Sequence, residues 1–133
     1  MVYSTNQNKT SILYDKQCYL EDEKCTLMLN ESDVVIEFST FPVLVEEMMK
    51  VVVSHENRYV LKQGWLEGTN MFMGRTTLFL IDKTSTEGHI SNNAELFIGS
   101  CSEPNMRWKL LLDLDDQQTG QTHTVSVFFQ TSR

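Results

Sequence analysis

The chain has 133 residues and a net charge of −7, which is the size of one domain and too acidic for a phosphate backbone to be its main partner. Eleven valines, five isoleucines and thirteen threonines stand against a single alanine, Ala94. Because β-branched side chains suit strands and alanine is the best helix former, this composition excludes a helical bundle.

No apolar run approaches the roughly 18 residues of a membrane span, and the first ten residues are polar, unlike a signal peptide. We therefore expect a cytoplasmic protein without a membrane partner. Residues 1–10 are predicted to be disordered, and residues 11–131 are predicted to form a single β-rich domain.

Apolar residues alternate with polar ones in residues 12–20, 25–29 and 34–38, which predicts three successive strands. Tight turns at residues 21–22 and 31–32 pair them into a meander. Cys18 then lies opposite Cys25, and Leu29 lies opposite Val34. In this register nearly every apolar side chain lies on one face, which favours one buried side.

Residues 40–54 break the alternation. Pro42 suits a first helical turn, and Leu44, Met48 and Val51 recur at helical spacing. The segment is predicted to be a helix that packs on the sheet.

Two further strands are predicted at residues 59–66 and 71–81, joined by a turn at residues 67–70. The strand at residues 71–81 is apolar on both faces, as expected of a central strand covered by the helix. Residues 82–93 are polar and are predicted to be a binding loop or a flexible connection.

The C-terminal third alternates cleanly and predicts strands that carry Ala94, Leu96 and Ile98 and then Met106 to Leu114. The final turn pairs Leu112 with Val125, Leu110 with Val127 and Trp108 with Phe129. The predicted fold class is α+β and predominantly β: a curved antiparallel meander sheet or partly closed barrel of about eight strands, with one helix packed against it.

The motifs for catalysis and metal binding are incomplete. His55 and Glu56 begin like a zinc-protease motif, but Tyr59 occupies the position of the second histidine ligand. His89 and His123 lie in distant segments, and Cys101 lacks an activating charge. We therefore predict a protein that is not an enzyme and that uses no metal or cofactor.

Cys18 and Cys25 leave two alternatives. They are reduced core residues if the protein is cytoplasmic, or a disulfide across the first hairpin if it is exported.

Acidic residues concentrate at predicted turns and strand ends, where they would attract a basic partner. The turn at residues 67–70 also carries methionines suited to an interface. The candidate partner-binding residues are Glu21, Asp22, Glu23, Asp113, Asp115, Asp116, Met71 and Met73.

These patterns favour a non-catalytic domain that neutralises a basic protein, such as an immunity protein or an inhibitor of a nuclease-like toxin. The alternative is a barrel-like protein that holds a small apolar ligand. The inward aromatic residues would then be Tyr14, Trp65, Phe72, Trp108 and Phe129. Convergence of the three histidines, or of two acids in a cleft, would instead favour an enzyme.

Overall fold

The computed structural model describes residues 16–72, 74–99 and 104–132, and these residues form ten strands in two five-stranded sheets that are not closed into a barrel. Sheet A contains, in spatial order, β1 (Gln17–Tyr19), β10 (Thr122–Ser132), β9 (Asn105–Asp116), β5 (Tyr59–Gly68) and β6 (Thr76–Thr77). Sheet B contains β2 (Lys24–Leu29), β3 (Ser32–Phe38), β4 (Glu47–Glu56), β8 (His89–Ile98) and β7 (Phe79–Thr86).

The fold is therefore all-β, and the predicted α+β class with a helix at residues 40–54 is wrong. The described residues contain no helix, and residues 47–56 form β4, which pairs with both β3 and β8. Met49, Val51 and Val53 of β4 are buried while Met48 and Lys50 are exposed, which is the period of a strand. The β-branched valines and two flanking strands outweigh the helical spacing of Leu44, Met48 and Val51.

In the N-terminal meander, the second predicted hairpin forms but its predicted register is wrong, and the first predicted hairpin does not form. β2 and β3 pair antiparallel, but with Leu27 opposite Val34, because the turn lies at Asn30 and Glu31, both with positive φ. β1 belongs to the other sheet, where it runs parallel to β10. The disulfide between Cys18 and Cys25 consequently joins the two sheets instead of spanning a hairpin.

The central part of the chain also differs from the prediction. Residues 71–81 are not a buried central strand: they contain the two-residue β6 and the start of β7, an edge strand of sheet B. Residues 82–93 are not a loop, since they form most of the β7–β8 hairpin. Glu87 and Gly88 make its turn with φ of 48° and 86°, the left-handed pair that closes a two-residue hairpin.

The C-terminal hairpin confirms the predicted register. Leu112 pairs with Val125, Leu110 with Val127 and Trp108 with Phe129 across β9 and β10. Phe129 meets Phe38 of sheet B edge to face, with 5.1 Å between ring centroids. One buried apolar cluster therefore joins the inner faces of the two sheets.

The strand directions give the sandwich two distinct ends, named here the loop end and the turn end. Residues 20–23, 39–46, 69–72, 74–75 and 99, with the adjoining strand termini, form the loop end. The tight turns at residues 30–31, 57–58, 87–88 and 117–121 form the turn end. Backbone bonds from Asn57 to Gly88 and from Gln117 to Arg58 hold the turn end together.

Some predictions fall outside the described residues. These are the disordered segment 1–10, Tyr14, Met73 and Cys101.

Candidate functional site

Exposed apolar side chains gather at the loop end. Within the described residues, the large hydrophobic side chains with high exposure are Tyr19, Phe41, Leu44, Met48, Met71, Phe72, Phe79, Leu80, Ile81 and Phe97. Each lies in a loop-end segment or in the adjacent part of a strand, and none of these ten lies in a turn of the turn end. A concentration of exposed apolar side chains at one end of a domain favours an interaction site there.

A surface groove of about 460 Å³ opens at the loop end on the sheet A side. Its walls include Tyr19, Phe41, Trp108 and Phe128, and Arg107 supplies a positive charge. The groove exists because β1 and β10 run parallel, which places Tyr19 beside Phe128 with stacked rings 5.0 Å apart. Tyr19 is 53% exposed and so presents part of its ring to solvent.

Hydrogen bonds to β9 hold the loop after β5 at the edge of this groove. The Thr69 N–H donates to the carbonyl of Arg107 at 2.8 Å, and the Arg107 N–H donates to Asn70 Oδ1 at 2.8 Å. The amide of Asn70 donates to the carbonyl of Asn105 at 3.0 Å. This anchored loop presents Met71, 37% exposed, and Phe72, 92% exposed.

The acidic turn between β1 and β2, residues 21–23, borders the same groove. Glu21 lines it, and all three acids are exposed. Asp22 Oδ1 accepts the N–H of Lys24 at 3.0 Å, and the carbonyl of Glu23 accepts the N–H of Phe38 at 2.7 Å. These two bonds fix the turn and use one oxygen of Asp22, while the exposed carboxylates of Glu21 and Glu23 remain accessible to a partner.

A second group of exposed apolar side chains lies on the outer face of sheet B, near the loop end. Met48 pairs directly with Phe97 across β4 and β8, and Phe79 lies diagonally from Phe97 on the neighbouring strand. Phe41 and Leu44 belong to the loop that leads from β3 to β4, so this loop links the groove to the sheet B surface.

The other predicted acidic cluster lies on β9, away from the loop end. Asp116 is buried and accepts two hydrogen bonds from the guanidinium of Arg58, which together hold the pKa of that carboxyl well below its usual range. Asp113 is also buried and accepts hydrogen bonds from Gln63 and Thr124.

Asp115 completes this cluster. It accepts a hydrogen bond from Thr122 and pairs with Lys62 at 3.3 Å, and these contacts lower the pKa of its carboxyl. The structure therefore brings Glu21, Asp22, Glu23 and Met71 to the loop end. The three aspartates of β9 are instead engaged by hydrogen bonds and ion pairs with neighbouring side chains.

The histidines do not converge. His55 is buried in sheet B, where Asn92 Nδ2 lies 2.9 Å from its Nε2. Its Nδ1–H donates a hydrogen bond to the carbonyl of Glu56, with 2.7 Å between nitrogen and oxygen. His123 is buried beside Asn30 in sheet A, and His89 is exposed. Within the described ranges, no three histidine, cysteine or acidic side chains form a group that could hold a metal ion.

Sequence reasoning missed Tyr19, Phe41, Leu44, Phe79 and Phe97. If residues 47–56 had been read as a strand, Phe41 and Leu44 would have fallen in the preceding loop instead of in a helix. No sequence signal marks Phe79 as exposed, because an apolar edge strand reads like a buried one.

Within the part of the chain that the structure describes, no helix has the length and hydropathy that a membrane crossing requires. Comparison with known protein families, with curated protein sequences and with solved structures found no match to this chain.

Proposed function

We propose that this protein is a non-catalytic binding domain that engages a basic protein through its loop end. The observation that supports the proposal is the concentration of exposed apolar side chains at one end of the sandwich. Connecting segments carried by a rigid sandwich are a common place for binding residues. The proposed site consists of the groove, the exposed Phe72 and the acidic turn at residues 21–23.

These parts have different roles in binding. The groove accepts an apolar side chain of the partner between Tyr19, Phe41 and Phe128, and Phe72 buries its ring against the partner. The carboxylates of Glu21, Asp22 and Glu23 meet lysine or arginine side chains at the rim. Rim charges chiefly raise the association rate, and the apolar anchors slow dissociation.

An immunity protein or an inhibitor of a nuclease-like toxin is the specific form of this function that we propose. A toxin that holds nucleic acid needs a cationic cleft, and an acidic turn beside apolar anchors suits such a surface. The product of a gene adjacent to that of this protein is the first partner to test.

The groove also supports a second candidate, binding of a small apolar ligand. Its volume of about 460 Å³ lies within the range of small-molecule sites. The sheets are not closed into a barrel, so the ligand would lie in this open groove instead of a barrel interior.

Affinity capture from the source organism tests the protein-binding proposal. The immobilised protein is compared with a loop-end variant that combines Phe72→Ser, Glu21→Lys and Glu23→Lys. The control combines Glu31→Lys and Glu87→Lys at the turn end, with the same two charge changes at exposed positions. We expect the wild-type protein and the control to retain one basic protein that elutes with salt, and the loop-end variant to lose it.

Retention of the same protein by the loop-end variant would contradict the proposal. Binding of the adjacent gene product, measured by calorimetry, distinguishes the immunity or inhibitor role from binding to another basic protein.

A further inference from the structure

We propose that β7 receives an extended strand of the partner, which pairs antiparallel along the edge that no other described strand occupies and enlarges sheet B. This inference rests on the proposed function and specifies how part of the partner binds. Strand addition supplies affinity through main-chain hydrogen bonds and specificity through alternate side chains.

The edges of the two sheets differ in how far they are protected. β1 and β6, the outer strands of sheet A, have three and two residues. β2, one outer strand of sheet B, is joined to β1 by the Cys18–Cys25 disulfide, and the N–H of Lys16 donates to the carbonyl of Met28. β7, the other outer strand of sheet B, has eight residues, and all eight are exposed.

β7 is open because sheet A does not cover it. The two-residue β6 contacts β8, so β7 extends past the layer that would bury its inner face. Leu80, which pairs with the buried Ala94 and so faces the inner side, remains 42% exposed for this reason. A long edge strand without proline and exposed on both faces is a template for another strand.

The apolar half of β7 lies at the same end of the sandwich as the proposed binding site. Phe79 and Ile81 are 51% and 56% exposed, and Phe79 lies beside Phe97 on the outer face of sheet B. A partner bound at the loop end therefore has apolar surface along which to extend onto β7. The apolar residues Phe79 to Ile81 lie in the loop-end half of β7, and the charged residues Asp82 and Lys83 follow them after a bulge between Leu80 and Asp82.

Charge argues against a second copy of this chain as the occupant. Two copies paired antiparallel about a two-fold axis place some residue of β7 opposite its own copy. The two longest such pairings overlap seven of the eight residues of β7, and they are centred on Asp82 or on Lys83. The first places Asp82 opposite Asp82 of the other copy, and the second places Lys83 opposite Lys83, so each sets like charges directly opposite. Registers centred on Ile81 or on Thr84 avoid this repulsion but pair only five of the eight residues.

The same two charges define the chemistry of the partner strand. A basic side chain opposite Asp82 and an acidic side chain opposite Lys83 make favourable cross-strand pairs. Apolar side chains of the partner pack on Phe79 and Ile81. Asp82 already accepts a hydrogen bond from Asn93 at 2.6 Å, which holds its carboxylate on the outer face.

A synthetic peptide as long as β7 provides the probe. It alternates valine and threonine, with lysine placed opposite Asp82 and glutamate opposite Lys83, and a control peptide has these two residues exchanged. Amide hydrogen exchange and chemical shifts are recorded by NMR at millimolar peptide. We expect protection of β7 amides by the first peptide, with about fivefold to tenfold weaker binding of the control.

The charge-exchanged protein, Asp82→Lys with Lys83→Glu, is expected to reverse this preference, which a folding defect would not do. Protection of no β7 amide, or equal binding of both peptides, would overturn the strand-addition proposal. Self-association of the wild-type protein with protection of β7 would overturn the choice of occupant.

The capture experiment separates this proposal from the proposed function. If the charge-exchanged protein retains the partner with undiminished affinity while the loop-end variant loses it, the loop-end site stands and strand addition fails. If the loop-end variant retains the partner, the proposed function fails whatever the peptides show.

Discussion

Buried polar residues of sheet B satisfy one another through a short network centred on His55. Its Nδ1–H donates a hydrogen bond to the carbonyl of Glu56, so its unprotonated Nε2 accepts a hydrogen bond from the amide of Asn92. The same amide also donates to the carbonyl of Val53. Burial lowers the pKa of His55, and the nearby charges of Lys83 and His89 add to this effect. The folded protein therefore holds this imidazole neutral.

This network predicts that the protein loses stability in mild acid. The unfolded chain binds the proton more tightly, so the free energy of unfolding falls as the pH decreases below the ordinary value of 6.5. The fall continues until the pH reaches the lowered pKa of the folded state. Urea unfolding between about pH 7.5 and pH 5.5 measures it, and His55→Gln is expected to flatten the slope. An unchanged slope in the variant would assign the acid sensitivity to other groups.

Gly64 permits close contact between β5 and the core beneath it. A Cβ atom at this position would lie 2.8 Å from Leu78 Cδ2, 2.9 Å from Leu112 Cδ2 and 3.1 Å from the carbonyl oxygen of Leu111. Gly64→Ala is therefore expected to reduce the free energy of unfolding by about 1 to 3 kcal/mol. Gly99→Ala, where no atom lies within 4 Å of the added Cβ, is the matched control and should change it little. Equal urea midpoints for the two variants would contradict the contact argument.

At the scale of elements, the turn of the β7–β8 hairpin contains a residue poorly suited to its conformation. Glu87 has φ of 48°, a left-handed conformation that asparagine tolerates better than glutamate, and Gly88 follows at 86°. Glu87→Asn is expected to stabilise the protein by roughly 0.5 to 1 kcal/mol in urea unfolding. Gly88→Ala is expected to destabilise it by about 1 kcal/mol. A destabilised Glu87→Asn protein would show that the glutamate side chain has a structural role.

The sequence predicts elements well where one face is buried and neighbours in the chain pair with each other. Strict alternation from Met106 to Leu114 identified β9 and its register with β10. Pairing with distant strands is not encoded locally, so the sequence did not place β1 beside β10. The helix prediction failed because a strand flanked on both sides can carry apolar residues at positions that also fit a helical period.

At the scale of the whole molecule, the two ends of the sandwich have opposite character. The turn end contains hydrogen-bonded acids such as Asp116 and tight polar turns, whereas the loop end contains the groove and the exposed aromatic residues. Residue types alone singled out the acidic turn at residues 21–23 and Met71 as candidates. They did not identify the asymmetry, because it depends on which strand ends and connections lie at the same end of the sandwich.

The parallel pairing of β1 with β10 has a consequence for how the protein is tethered. β1 runs from the turn-end half towards the loop end, and β10 finishes at the loop end with Ser132. A tag or surface attachment placed after Ser132 therefore lies next to the proposed site and obstructs it. Attachment through the turn at residues 117–121, at the turn end, directs the loop end away from the support, so orientation on a biosensor decides whether binding is observed.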